Sequence, residues 1–216
     1  MPGRDDPSPM RTGPKGSFIF IHINKTGGTS IGQAIGLPGK RHLTARQIID
    51  VVGEQAWAQA YKFAFVRNPW DKVVSQYEFR VRTDQNRMGG HRISFRDWIQ
   101  RTIGGRPDAR YIDRSHLFLP QVEWLTDHAG RVEIQRIGRF EQLARDFAGI
   151  CQDLGIAPEV PHLNRTAGRT HYRDYYDEET AELVARWYRA DIERFGYAFD
   201  AAPEEPRAAT LEAEVR

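Results

Sequence analysis

Much is settled by what this chain has little of. Among its 216 residues there is one cysteine, so no disulfide can close within it. Cys151 sits in the apolar pattern "FAGICQDLG" and reads as a buried structural thiol, not a nucleophile. No apolar run approaches the ~20 residues of a bilayer span, and the start "MPGRDDPSPMRTGPKG" has no apolar signal core. A cytoplasmic protein with no transmembrane segment is the expectation. Net charge is only +2 and no basic stripe is visible, which argues against a nucleic-acid partner. Lysine is scarce, five against twenty-six arginines; that bias suits planar recognition of phosphate or sulfate and equally follows from codon usage. There is no internal repeat.

What is present has the proportions of one soluble domain. Residues 1–16 and 201–216 are rich in Pro, Gly and charge and are expected to be disordered, leaving 17–200 as the folded unit. Three short runs of branched and aromatic residues read as buried strands: "FIFIHI" (18–23), "YKFAFV" (61–66) and "VEIQRIG" (132–138). Helical patterns follow each. One spans 44–60 from a Thr44 cap; another starts at Asn68 with Pro69 in its first turn. Ser94 and Asp97 cap "FRDWIQRTI", "RFEQLARDFAGICQDLG" ends at Gly155, and a last helix closes on Gly196. Strands alternating with helices imply an α/β fold with a mainly parallel central sheet flanked by helices, whose ligands gather beyond the carboxyl ends of the strands. That rim carries both "NKTGGTS" and "RNPWDKVVS".

A strand turning through Gly27 and Gly28 into a helix presents amides and the positive end of the helix dipole to an anion, and glycine lets the backbone come close to it. Lys25, Thr26, Thr29 and Ser30 add a charge and three hydroxyls. The pattern GxxxxGK[ST] is not matched, and a Gly-Gly turn after a strand can be only a turn. Arg67 follows directly on the second strand and Ser75 lies on the next helix, so a guanidinium fork and a hydroxyl can face one phosphate monoester. The alternative is that Arg67 pairs with Asp71 or another acid near the helix start.

The segments "FIHINKTGGTSI" and "FAFVRNPWDKVVSQY" resemble the 5′-phosphosulfate-binding loop and the 3′-phosphate-binding segment of sulfotransferases that use 3′-phosphoadenosine 5′-phosphosulfate (PAPS). The nearer likeness is to the carbohydrate O-sulfotransferases of sulfotransferase family 2, related to heparan sulfate 2-O-, chondroitin and HNK-1 sulfotransferases. "SHLFLPQVEWL", "IQRIGRFEQLARDF", "HLNRT" and "YRADIERFGYAF" extend it over about 18–199. The resemblance implies a P-loop-like three-layer fold, PAPS as co-substrate and no metal. It implies that Lys25, Thr26, Gly27, Gly28, Thr29 and Ser30 hold the 5′ end, with Lys25 at the bridging oxygen, and that Arg67 and Ser75 hold the 3′-phosphate. Arg165, Thr166 and Arg169 in "NRTAGRT" would match a loop closing over the nucleotide.

Sulfuryl transfer to an alcohol needs a cation for the leaving phosphate, which Lys25 supplies, and a base for the acceptor's proton, which a histidine suits. The resemblance points to His42, just after the phosphate loop, with His116 in "SHLFLP" as second choice. His22, inside a strand, reads as a packed residue. Trp57, Trp98, Trp124 and Trp187 fall at helical spacing and read as core. The acceptor implied is a hydroxyl on a sugar or glycolipid; relatives anchored in the Golgi membrane carry a stem that is not visible here. Two rival readings stand beside this one, a P-loop-type kinase and a non-catalytic nucleotide-binding module.

Overall fold

Strands β2 (Gly16–Ile21) and β3 (Tyr61–Val66) are apolar at nearly every position, because both of their faces are covered. Their side chains alternate between two cores. Ile19, Ile21, Ala64 and Val66 face one, while Phe18, Phe20, Phe63 and Phe65 face the other. Burying each of these isoleucine, valine and phenylalanine side chains stabilises the fold by about 1.5–3 kcal/mol. In the computed structural model, which describes residues 8–37, 42–88, 90, 93–157 and 170–200, the sheet order is β1 (Met10–Gly13), β2, β3, β4 (Arg136–Arg139). β2, β3 and β4 run parallel, with Phe20 stacked on Phe63 at 5.0 Å.

Helices α1 (Gly28–Ala34) and α7 (Leu143–Leu154) cover the phenylalanine face through Ile31, Leu143, Phe147, Ile150, Cys151 and Leu154. The opposite face receives α2 (Ala45–Val52), α3 (Glu54–Gln59), α4 (Pro69–Arg82), α5 (Phe95–Thr102), α6 (Gln121–Leu125), α8 (Glu178–Trp187) and α9 (Arg189–Phe195). The result is the three-layer α/β architecture with helices on both sides of a mainly parallel sheet.

The expected helix starts are present with their caps. The Asn68 side chain accepts from the amides of Trp70 and Asp71, Ser94 from that of Asp97, and Thr44 forms a capping box with Gln47. Several boundaries differ from expectation. Residues 10–13, placed in a disordered leader, form β1 (Met10–Gly13) as an antiparallel hairpin with β2, and Lys15 Nζ ties the turn to the Gln152 carbonyl at 2.8 Å. The helix expected over 44–60 breaks at Gly53, whose φ of 83° leaves the right-handed region. The third strand begins at Arg136 instead of 132, because the Gln135 side chain takes the Lys62 amide at 2.8 Å in place of a backbone partner. The last helix divides at Tyr188, which lets Asp191 turn inward to accept from the amides of Gln121 and Val122. Trp57, Trp98 and Trp124 are core residues as expected. Trp187 is 43% exposed and donates its indole N–H to the Phe118 carbonyl instead.

Candidate active site

After Ile21 the chain turns through two residues with positive φ, Lys25 at 67° and Gly27 at 81°, before entering α1 at Gly28. A lysine in the left-handed region is strained, and the contacts around it hold the turn. The Thr26 hydroxyl donates back to the Ile23 carbonyl at 2.9 Å and is fully buried. Its side chain is therefore spent on the turn itself. The two glycines make room for protein: a Cβ on Gly27 would meet Leu143 Cδ1 at 2.6 Å, and one on Gly28 would meet His22 Cδ2 at 2.0 Å. The expected reason for these glycines is approach of the backbone to an anion; close packing against Leu143 and His22 is a second reason. Thr29 is exposed, Ser30 is buried, and among the described residues no side chain caps the first turn of α1.

Lys25 is half-buried, with Nζ 4.1 Å from the centroid of the Phe79 ring on α4. Phe79 stands one turn beyond the half-buried Ser75. Arg67, only 5% exposed, joins the two segments: its Nη1 donates to the Lys25 carbonyl at 3.0 Å. Nε and Nη2 donate to Asp71 Oδ2 at 2.9 and 2.6 Å, and the guanidinium lies 4.1 Å over Phe140. The ion pair with Asp71 that the sequence left open as an alternative is thus formed. Behind it the Gln121 side chain clasps the Arg67 backbone, accepting from its amide at 2.9 Å and donating to its carbonyl at 2.8 Å. The structure therefore brings Lys25, Arg67 and the Ser75 turn of α4 to one rim of the sheet.

A second cluster adjoins the loop. His22 stacks on Phe20 at 5.5 Å, and the His42 ring lies 4.4 Å from that of His22. His42 Nδ1 is 3.1 Å from the His22 carbonyl oxygen. A carbonyl can only accept, so this contact requires the hydrogen on Nδ1, and in the neutral ring the lone pair is then on Nε2. Both His42 and His116 approach the buried Trp124 ring, at 6.3 and 5.9 Å, which gathers the two candidate bases around one indole. Burial holds the His116 imidazole below its ordinary pKa, helped by the Arg114 charge and opposed by Asp113.

Sequence reasoning missed Asn24, Phe79, Gln76, Gln121 and Phe140, each a contact made across the fold that no local pattern announces. Arg165, Thr166 and Arg169 lie outside the described residues. Among the described residues no group of three or more His, Cys, Asp or Glu side chains could hold a metal ion, and no helix is long and apolar enough to cross a membrane.

Comparison with known proteins adds three likenesses. Residues 8–198 match the sequence model of the sulfotransferase family. An uncharacterized protein of Archaeoglobus fulgidus is 28% identical over 131 residues, which make up 61% of this chain and 98% of that protein. The crystal structure of a sulfotransferase from Alicyclobacillus acidocaldarius aligns over 65% of this chain at 20% identity, with a TM-score of 0.38. The chain spans about half, 54%, of that solved structure.

Proposed function

From its membership of the sulfotransferase family, to which this chain belongs, we propose that the protein moves a sulfuryl group from PAPS to a hydroxyl of a sugar or glycolipid. The observation that carries the reading is the 3.0 Å bond from Arg67 to the Lys25 carbonyl, which holds the two anion-directed segments together. The guanidinium fork already grips one oxyanion, the Asp71 carboxylate, so its geometry suits a phosphate at the same place.

When bound, PAPS supplies an activated sulfur: the acceptor oxygen bonds to it, its bond to the phosphate oxygen breaks, and adenosine 3′,5′-bisphosphate departs. Lys25 is assigned to the negative charge that grows on that phosphate. Its Nζ rests on Phe79 in the meantime, an aromatic face that holds a cation without neutralising it. Thr29, Ser30 and the amides of Gly27 and Gly28 are assigned to the 5′ end, Arg67 and Ser75 to the 3′-phosphate. His42 is the proposed base. With its Nδ1 hydrogen directed at the His22 carbonyl, Nε2 is the atom able to take the acceptor's proton. His116, whose pKa burial lowers, is the second candidate. A cytoplasmic setting completes the proposal.

The test is transfer of label from ³⁵S-PAPS to an acceptor mixture, read by mass spectrometry and scintillation. Labelled product requires the wild-type chain under this reading, and its absence across sugar and glycolipid acceptors would refute it.

A further inference from the structure

Asn24 and Gln76 are the neighbours, in sequence, of Lys25 and Ser75, and they meet each other across the fold. Asn24 Nδ2 donates to Gln76 Oε1 at 3.3 Å, and the two residues are only 4% and 3% exposed. Asn24 Oδ1 and Gln76 Nε2 are left with no partner among the described residues. Buried amide atoms are nearly always hydrogen-bonded, so two adjacent exceptions at the site call for an explanation.

The orientation of either amide does not change the remainder. With both side chains flipped, Gln76 would donate to Asn24, and one NH2 group and one oxygen would again be left over. The pair thus lacks a donor for the free oxygen and an acceptor for the free NH2 group together. A carboxylate or phosphate would set its oxygens against the amide oxygen, and an ammonium would leave the amide N–H unmet. A hydroxyl reaches both with a single oxygen, donating to the amide oxygen and accepting from one amide N–H. Lys72 Nζ, one helical turn from Gln76, also lacks a hydrogen-bond partner, but it lies 5.3 Å over the Tyr188 ring and answers the charge of buried Asp191. It belongs to the interior behind Arg67.

We propose that Asn24 and Gln76 form a hydroxyl-binding subsite beside Lys25, holding one O–H group that donates to one amide and accepts from the other. Resting on the sulfotransferase reading, the occupants are a water in the resting protein and a hydroxyl of the acceptor. The subsite takes one neutral hydroxyl, and it sits one residue from the proposed catalytic lysine.

The experiment is a high-resolution crystal structure of the full chain grown without polyols, followed by soaking in methyl β-D-glucoside. An oxygen peak within ~2.7–3.2 Å of both side chains is expected before soaking. If a sugar hydroxyl replaces it, the acceptor is the occupant; if it stays, water is. Gln76→Met should abolish the peak in either case. No peak in the wild type, before or after soaking, overturns the subsite. Binding of adenosine 3′,5′-bisphosphate to the same wild-type preparation judges the donor reading separately, since its failure leaves the oxygen peak to decide this proposal.

Discussion

Gly28→Ala is a single added methyl with a calculable consequence. The new Cβ would stand 2.0 Å from His22 Cδ2 and 2.2 Å from Nε2, where ordinary contact begins at 3.4 Å, so the imidazole must retreat by roughly 1.4 Å. His22 is buried between Phe20 and His42, at 5.5 and 4.4 Å between ring centres, and cannot move without disturbing one of them. Overpacking of this kind costs about 1–3 kcal/mol. For a domain of this size each kcal/mol lowers Tm by ~2–4 °C, giving an expected fall of ~2–12 °C. Thermal unfolding of Gly28→Ala, His22→Ala and the double variant separates this cause from others. Removing the imidazole removes the three atoms nearest the methyl, so the double variant should be more stable than the sum of the two losses implies, by about 0.5–3 kcal/mol of coupling. Strict additivity would refute the packing account of Gly28 and return that glycine to a role in backbone approach to an anion.

His42→Ala should leave binding of adenosine 3′,5′-bisphosphate intact while slowing sulfuryl transfer by roughly 10²–10⁴, measured by titration calorimetry and labelled transfer; normal turnover would move the base to His116. Asp71→Asn exchanges a charged acceptor for a neutral one on Arg67. At a difference of about 1 kcal/mol between charged and neutral hydrogen bonds, the bisphosphate should bind ~5-fold more tightly, whereas weaker binding would mean that Asp71 aids the site. His116 has its folded-state pKa lowered by burial, so below pH 6.5 the unfolded chain binds more protons than the folded one. Stability should therefore fall as pH drops from 6.5 through the lowered pKa, and His116→Gln should flatten that slope in denaturant titrations; an unchanged slope would contradict the shift.

The parts of the fold that read well were those set by neighbours in sequence. Phe18 to Ile21 and Tyr61 to Val66 announce strands because both faces are buried, and Asn68-Pro69 announces a helix because cap and ring act on the adjacent turn. Failures came where a distant group decided the matter. The Gln135 side chain replaces one ladder bond and shortens β4, and Met10–Gly13 becomes a strand only because β2 offers it an edge. At the site the same division holds. The Arg67–Asp71 pair was visible as an i,i+4 spacing and Lys25 as a loop cation. The bond between Arg67 and the Lys25 carbonyl, the rest of Lys25 on Phe79, and the amide pair of Asn24 and Gln76 join residues 42 to 54 positions apart. No periodicity encodes such contacts.

The central claim is that Lys25 and Arg67 grip opposite ends of a doubly phosphorylated adenosine. Titration calorimetry without magnesium tests it most directly, comparing adenosine 3′,5′-bisphosphate with ADP on the wild type and on Arg67→Ala. The bisphosphate should bind far more tightly than ADP to the wild type, and the variant should lose about 1.5–3 kcal/mol of that binding. Equal affinity for the two nucleotides, a requirement for magnesium, or an Arg67→Ala variant that binds like the wild type would contradict it.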